Sequence, residues 1–349
     1  MTHSGPQPAS AAPRTVPLRY FAIILVPITI FLMHKGISDH MMTDDLNVST
    51  EILKDGFAWL EAAGRYRFLA ATWFYAALTI LAVALLVRTL LRPTATATRL
   101  AAIATWSFVI LMAGLSTLGN FGEPRETHVF DRLGAAVFEA AMARGSVPGC
   151  TRPEDPWLWG QCGENPVVTL FERVMEVVDV LAGLGVGALI VGMILCLATS
   201  DSDDIEEQAN LLAENLNQMR QQLYLSGLVL TFGMFFATSW MYWPMQLVQD
   251  TARAEYGAVL LSAALYTGTF FSLLILSFYL PVALLLDGRV RALARKAGID
   301  TRTADPLDVD SWKATHGLKE GASDYLRAGL ALTAPILTAF AGGISPLAI

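Results

Sequence analysis

With 349 residues, 54% of them hydrophobic and 16% charged, the chain is too apolar for an ordinary soluble domain and fits a polytopic membrane protein. A net charge of −7 excludes a basic footprint for nucleic acid. The expected fold class is all-α, with about six transmembrane helices, a cytoplasmic helical extension between spans four and five, and a short C-terminal helical tail.

Residues 1–16, rich in Pro, Ser and Ala, read as a flexible leader. Residues 17–119 carry spans one to three: Tyr20–Met33, Phe68–Val87 and Leu100–Leu118. The first has the length of a signal-peptide core, but His34-Lys35 follows it with no small-x-small cleavage site, so it is expected to remain as a short span. His34, Asp39 and His40 just beyond it fit a water-exposed boundary turn better than a metal site.

Residues 120–170 form an outer loop domain punctuated by Pro and Gly, within which His128–Ala143 reads as a helix. Cys150 and Cys162 flank a short segment containing Trp157 and Trp159. In an oxidising outer compartment they are expected to bridge, stabilising by about 3 kcal/mol in the chain-entropy model. Two cysteines without a nearby His do not make a zinc site.

Residues 171–199 are the fourth span. At about 100° per residue, Glu172, Glu176, Asp179, Gly183 and Gly187 fall within roughly a quarter turn, and the remaining surface is Val, Leu, Ile, Ala and Met. A carboxylate in hydrocarbon costs about 2.5–3.5 kcal/mol, so this face is expected to look into a bundle, a water path or an interface. Gly183 and Gly187 admit a close helix. The alternative, preferred for Glu172, is that the acids are the hydrated end of a long helix. Cys196 reads as a plain apolar side chain.

Residues 200–222 form a cytoplasmic heptad helix. Ser200 or Ser202 can cap it, and acids fill its first turn. Ile205, Ala209, Leu212, Leu216, Met219 and Leu223 follow in steps of four and three. No Gly or Pro lies between Asp201 and Gly227, which predicts one helix running on through the fifth span. The seam must bury against another helix of the chain or of a neighbouring subunit.

Residues 223–286 carry spans five and six, Leu223–Val248 and Gly257–Leu286; Trp240, Tyr242 and Trp243 read as an interface belt. Residues 287–349 are a cytoplasmic tail: a juxtamembrane helix, Trp312 as an anchor, and an apolar helix at Tyr325–Phe340 that is short for a span. It fits a re-entrant, docked or spanning segment. Arg88, Arg92 and Arg99 in one short loop, and Arg289, Arg291, Arg295 and Lys296 after span six, place both termini in the cytoplasm of a bacterial inner membrane.

No phosphate loop, dinucleotide fingerprint, nucleophile elbow or paired metal-binding histidines occur, so no catalytic residue, cofactor or metal is expected. The leading functional reading is a homo-oligomeric, cation-favouring channel or pore-type effector, with Glu176 and Asp179 forming rings around its axis. The alternative is a non-conducting structural or sensory subunit that binds a partner through its outer loop or cytoplasmic tail. A secondary transporter ranks third, because the midplane is nearly free of charge. The expected partners are the bilayer, other copies of the chain and a cytoplasmic regulator.

Overall fold

The computed structural model describes residues 14–41, 61–118, 156–157, 160–161, 167–200, 202–299, 306–319 and 321–344. Cys150, Cys162 and the 128–143 segment lie outside these residues, so the disulfide and the loop helix fall outside the description. A 3-10 turn, Leu18–Ile24, leads into α1 (Leu25–Met41). There follow α2 (Glu61–Leu90), α3 (Thr96–Leu118), α4 (Val167–Leu195) and α5 (Ile205–Met241). A second 3-10 turn, Trp243–Leu247, joins α5 to α6 (Asp250–Lys296), and α7 (Pro306–Thr315) and α8 (Ala322–Ile344) complete the chain. Extended backbone among the described residues is confined to the pair Pro156–Trp157 with Gly160–Gln161 and to isolated bridges at Arg14–Thr94 and Thr15–Thr199.

Among the described residues, seven helices are long and apolar enough to cross a membrane, one more than the six counted from sequence. The addition is Ala322–Gly342. Its apolar run, Tyr325–Phe340, looks short for a span, yet the helix α8 itself extends from Ala322 through the Gly342-Gly343 pair to Ile344. Large apolar side chains such as Trp73, Leu111, Leu284 and Leu326 point outward, as a lipid-facing surface requires.

The continuous helix expected through the fifth span is present, and α6 likewise runs unbroken past the sixth. At a rise of about 1.5 Å per residue they reach about 55 and 70 Å, against a hydrocarbon core of about 30 Å. Both are therefore longer than the apolar layer is thick, and the start of α5 and the end of α6 gather with residues 14–17, 88–99 and 197–204 at one end of the bundle. This is the arginine-rich end. The cap of α5 is Asp204, not a serine: its carboxylate accepts from the backbone N–H of Glu206 at 3.1 Å.

The central helix is α5, packed against α2, α4, α6 and α8. Along α8 the contacts advance in parallel with α5. Ala331 meets Gly227, and Gly342 meets Thr238. Pro335 has no N–H to offer the Ala331 carbonyl, and that oxygen faces Gly227, 2.8 Å from where a Cβ would stand. Glycine here lets two backbones touch.

At the far end, Trp240, Tyr242 and Trp243 are 4%, 4% and 1% exposed. This corrects the interface-belt reading. The Phe68 ring sits 5.2 Å from that of Trp240 and 5.4 Å from that of Trp243, so the aromatics form an internal plug and do not ring the surface. Gly64 makes room for it, since the Trp243 carbonyl occupies the space a side chain would need.

Candidate functional site

The fourth helix is a hub whose neighbours are sorted by its glycines. A Cβ on Gly183 would lie 2.5 Å from that of Ala113, and one on Gly187 would lie 2.9 Å from the Trp106 ring, so the predicted glycine face is filled by α3 of the same chain. The Trp106 indole N–H donates to the Leu184 carbonyl at 3.0 Å, pinning the two helices. The intervening Gly185 turns toward α2 and faces Thr79 at 3.1 Å, while Gly192 admits Gln222 of α5 at 2.9 Å. Three helices thus approach α4 closely at different azimuths, and sequence pattern alone revealed only the Gly183–Gly187 side. The Gly-Leu-Gly-Val-Gly stretch does not break the helix.

Glu172 and Glu176 lie on the first half of α4, outside the residues whose side chains are described. Asp179 is half-buried and close enough to the buried Tyr75 of α2 to act on it electrostatically. His34 does not sit in a hydrated turn. Its ring packs 3.8 Å from that of Phe270 and 5.1 Å from that of Tyr266 on α6. Among the described residues no cluster of His, Cys, Asp and Glu can hold a metal.

The heptad seam is buried inside the chain. Ala209, Leu212, Leu216, Met219 and Leu223 are 0–6% exposed, and Ile205 is half-buried at the end of the row. They share a core with the end of α4, with the α6 residues Phe278, Val282, Leu286 and Leu293, and with Leu318. The seam thus finds its partners in the same chain, one of the two options left open by its spacing.

Around this core the arginine-rich end is stitched by polar groups. Thr15 and Thr199 exchange backbone hydrogen bonds at 3.2 and 2.7 Å, and the N–H of Ala95 donates to the Arg14 carbonyl at 2.9 Å. Glu214, on the part of α5 below its apolar stretch, accepts from both terminal nitrogens of Arg14 at 3.0 and 2.6 Å and from Arg92 at 3.1 Å. The Arg14 hydrogen bonds hold the Glu214 carboxyl below the usual carboxylate range; partial burial opposes them, and the charges of Arg14 and Arg92 reinforce them. The last carbonyls of α4, those of Met193, Ile194 and Leu195, accept from the N–H groups of Cys196, Leu197 and Ala198, and the Leu197 and Ala198 carbonyls just past the helix are met by side chains. Arg289 of α6 donates to Leu197 and Ala198 at 2.9 and 3.3 Å, and the Asn215 amide donates to Ala198 at 2.8 Å. A guanidinium at a helix C-terminus also meets the negative end of the helix dipole. Arg289, Asn215 and Glu214 each look like unremarkable polar positions in sequence; only the long-range geometry gives them these roles.

No family model, curated protein or solved structure matches the chain.

Proposed function

We propose that the protein is a non-conducting structural or sensory membrane subunit whose bundle is completed within one chain, and that its partner engages the arginine-rich end or residues 120–170. One observation carries this reading: the Gly183–Gly187 face, which a symmetric pore would need free to line its axis, is filled by Ala113, Val109 and Trp106 of α3. The continuous α5 and α6 support the sensory form of the reading, because a helix that runs from the arginine-rich end into the apolar bundle offers a path by which a push at that end reaches it. In the inner membrane, the clustering of arginine at one end favours that end as cytoplasmic. Because α8 runs parallel to α5, the C-terminal end of α8 then lies on the opposite side, in contrast to the expectation of two cytoplasmic termini.

The pore reading retains one point of support, the half-buried Asp179 within an apolar stretch. Reconstitution in planar bilayers separates the two. The subunit reading expects no unitary currents from the purified wild type. Reproducible cation-selective currents that Asp179→Asn diminishes would return the protein to the channel class.

A further inference from the structure

The arginine-rich end holds an open cavity of about 320 Å³ between the end of α4, the first turns of α5 and the last turns of α6. Its polar lining includes Arg289, Lys296, Gln208 and Asn215, and Leu211 and Leu293 form its apolar side. Two features of this lining are unusual. Asn215 is 1% exposed, and although its amide N–H₂ is used on Ala198, its Oδ1 has no hydrogen-bond partner among the described residues. Leaving a buried acceptor unmade is costly, so a donor belongs there. The Arg289 guanidinium, in turn, has carbonyl partners and the Tyr20 ring at 5.3 Å, but no carboxylate among the described residues. Lys296 lies two turns further along the same face of α6, with the exposed Asp203 at 3.6 Å as its anionic neighbour among the described residues.

We propose that this cavity binds a phosphate ester that also carries a hydroxyl, supplied by the headgroup of an anionic phospholipid of the phosphatidylglycerol type. The phosphate meets Arg289 and Lys296, and the hydroxyl donates to Asn215 Oδ1. Depth favours a lipid source. The cavity begins at Ala198, just past the apolar window of α4 that ends at Leu195, which is headgroup level, and Leu211 and Leu293 offer an apolar wall to the glycerol ester region. The inference is independent of whether the protein conducts.

Native mass spectrometry of the full chain in detergent, titrated with phosphatidylglycerol or phosphatidylcholine, tests it, with glycerol 3-phosphate as the soluble probe. The expected result is one retained phosphatidylglycerol, bound about tenfold or more tightly than phosphatidylcholine, the scale two cations supply at a membrane surface. Lys296→Gln should lower that preference several-fold. Leu211→Trp, which fills the cavity from its half-buried rim without touching a charge, should abolish it. Both variants should melt with the wild type. Glycerol 3-phosphate binding that both variants weaken would also support the site and identify a soluble ester as its occupant. Equal affinity for the two lipids with no binding of glycerol 3-phosphate, or a preference unchanged in both variants, would overturn the proposal.

Discussion

The two halves of α5 are packed by different rules. Above Leu223, where the helix enters its apolar stretch, it buries large side chains such as Val229, Met234 and Trp240 but also makes close approaches through small residues: Gly227 against Ala331, and Gly233 against the Tyr75 ring at 3.2 Å. Below Leu223 the same helix buries Leu212, Leu216 and Met219 and flanks them with the Arg14–Glu214–Arg92 cluster. The solvent explains the change. Lipid is as apolar as leucine, so helices in a bilayer gain little from burying leucine and associate through close backbone approach and hydrogen bonds such as Trp106 to Leu184. Where water surrounds the helix, each buried leucine stabilises by about 1.5–3 kcal/mol and a heptad seam becomes worthwhile.

The comparison is broken most severely at the seam. Leu216→Asp places a carboxylate at a site 5% exposed in an apolar core. Destabilisation of about 3–5 kcal/mol is expected, read as a large fall in melting temperature and yield. Because the seam is internal, the mass of whatever folded particle remains should be unchanged; a halved mass with an undiminished melting temperature would mean that the seam joins subunits.

Small-residue packing is broken next most severely. Gly187→Leu drives a side chain into Trp106 and Val109, 2.9 and 3.2 Å from the new Cβ. A loss of about 1–3 kcal/mol is expected, or more where α3 cannot shift. The control is Gly36→Leu on α1, where no atom lies within 4 Å of an added Cβ, and it should be near neutral. Equal effects of the two substitutions would mean that the close approach of α3 is immaterial.

The smallest effect is electrostatic. The Glu214 pKa is lowered in the fold, so its stabilisation is fully present above the unfolded value of about 4.3 and is lost as pH falls through the folded value. With the side chain 40% exposed, solvent screening limits the contribution to below about 1 kcal/mol. Glu214→Gln should lower the melting temperature slightly at pH 7 and flatten its decline on the acid side. An unchanged acid limb would assign that decline to other carboxylates.

Much of this architecture was legible in the sequence because it follows from one-dimensional patterns. Apolar runs marked six of the seven candidate spans, the absence of Gly and Pro between Asp201 and Gly227 predicted that α5 runs on as one helix, and steps of four and three marked its buried seam. What escaped depends on contacts between distant segments. Gly64, Gly185 and Gly192 are single glycines serving three different neighbours, so none forms a repeat. The Trp240–Trp243 pair has the composition of an interface belt, and only the approach of Phe68 and Gly64 on α2 makes it a core. The helix α8 was under-read because its apolar run, Tyr325–Phe340, falls short of a bilayer's width, whereas the helix extends from Ala322 to Ile344.

The central claim is that α3 of the same chain fills the glycine face of α4, and cross-linking tests it most directly. A Cβ at position 187 would stand 3.2 Å from that of Val109, near the usual separation of about 3.8 Å across a disulfide. With Cys150, Cys162 and Cys196 replaced by serine or alanine, Val109→Cys combined with Gly187→Cys should oxidise in native membranes to a bond within one chain. The product should run as a monomer with altered mobility, even when two differently tagged copies are co-expressed. Covalent dimers or larger species carrying both tags, formed in place of the monomeric product, would contradict the account and free the α4 face for a pore between subunits.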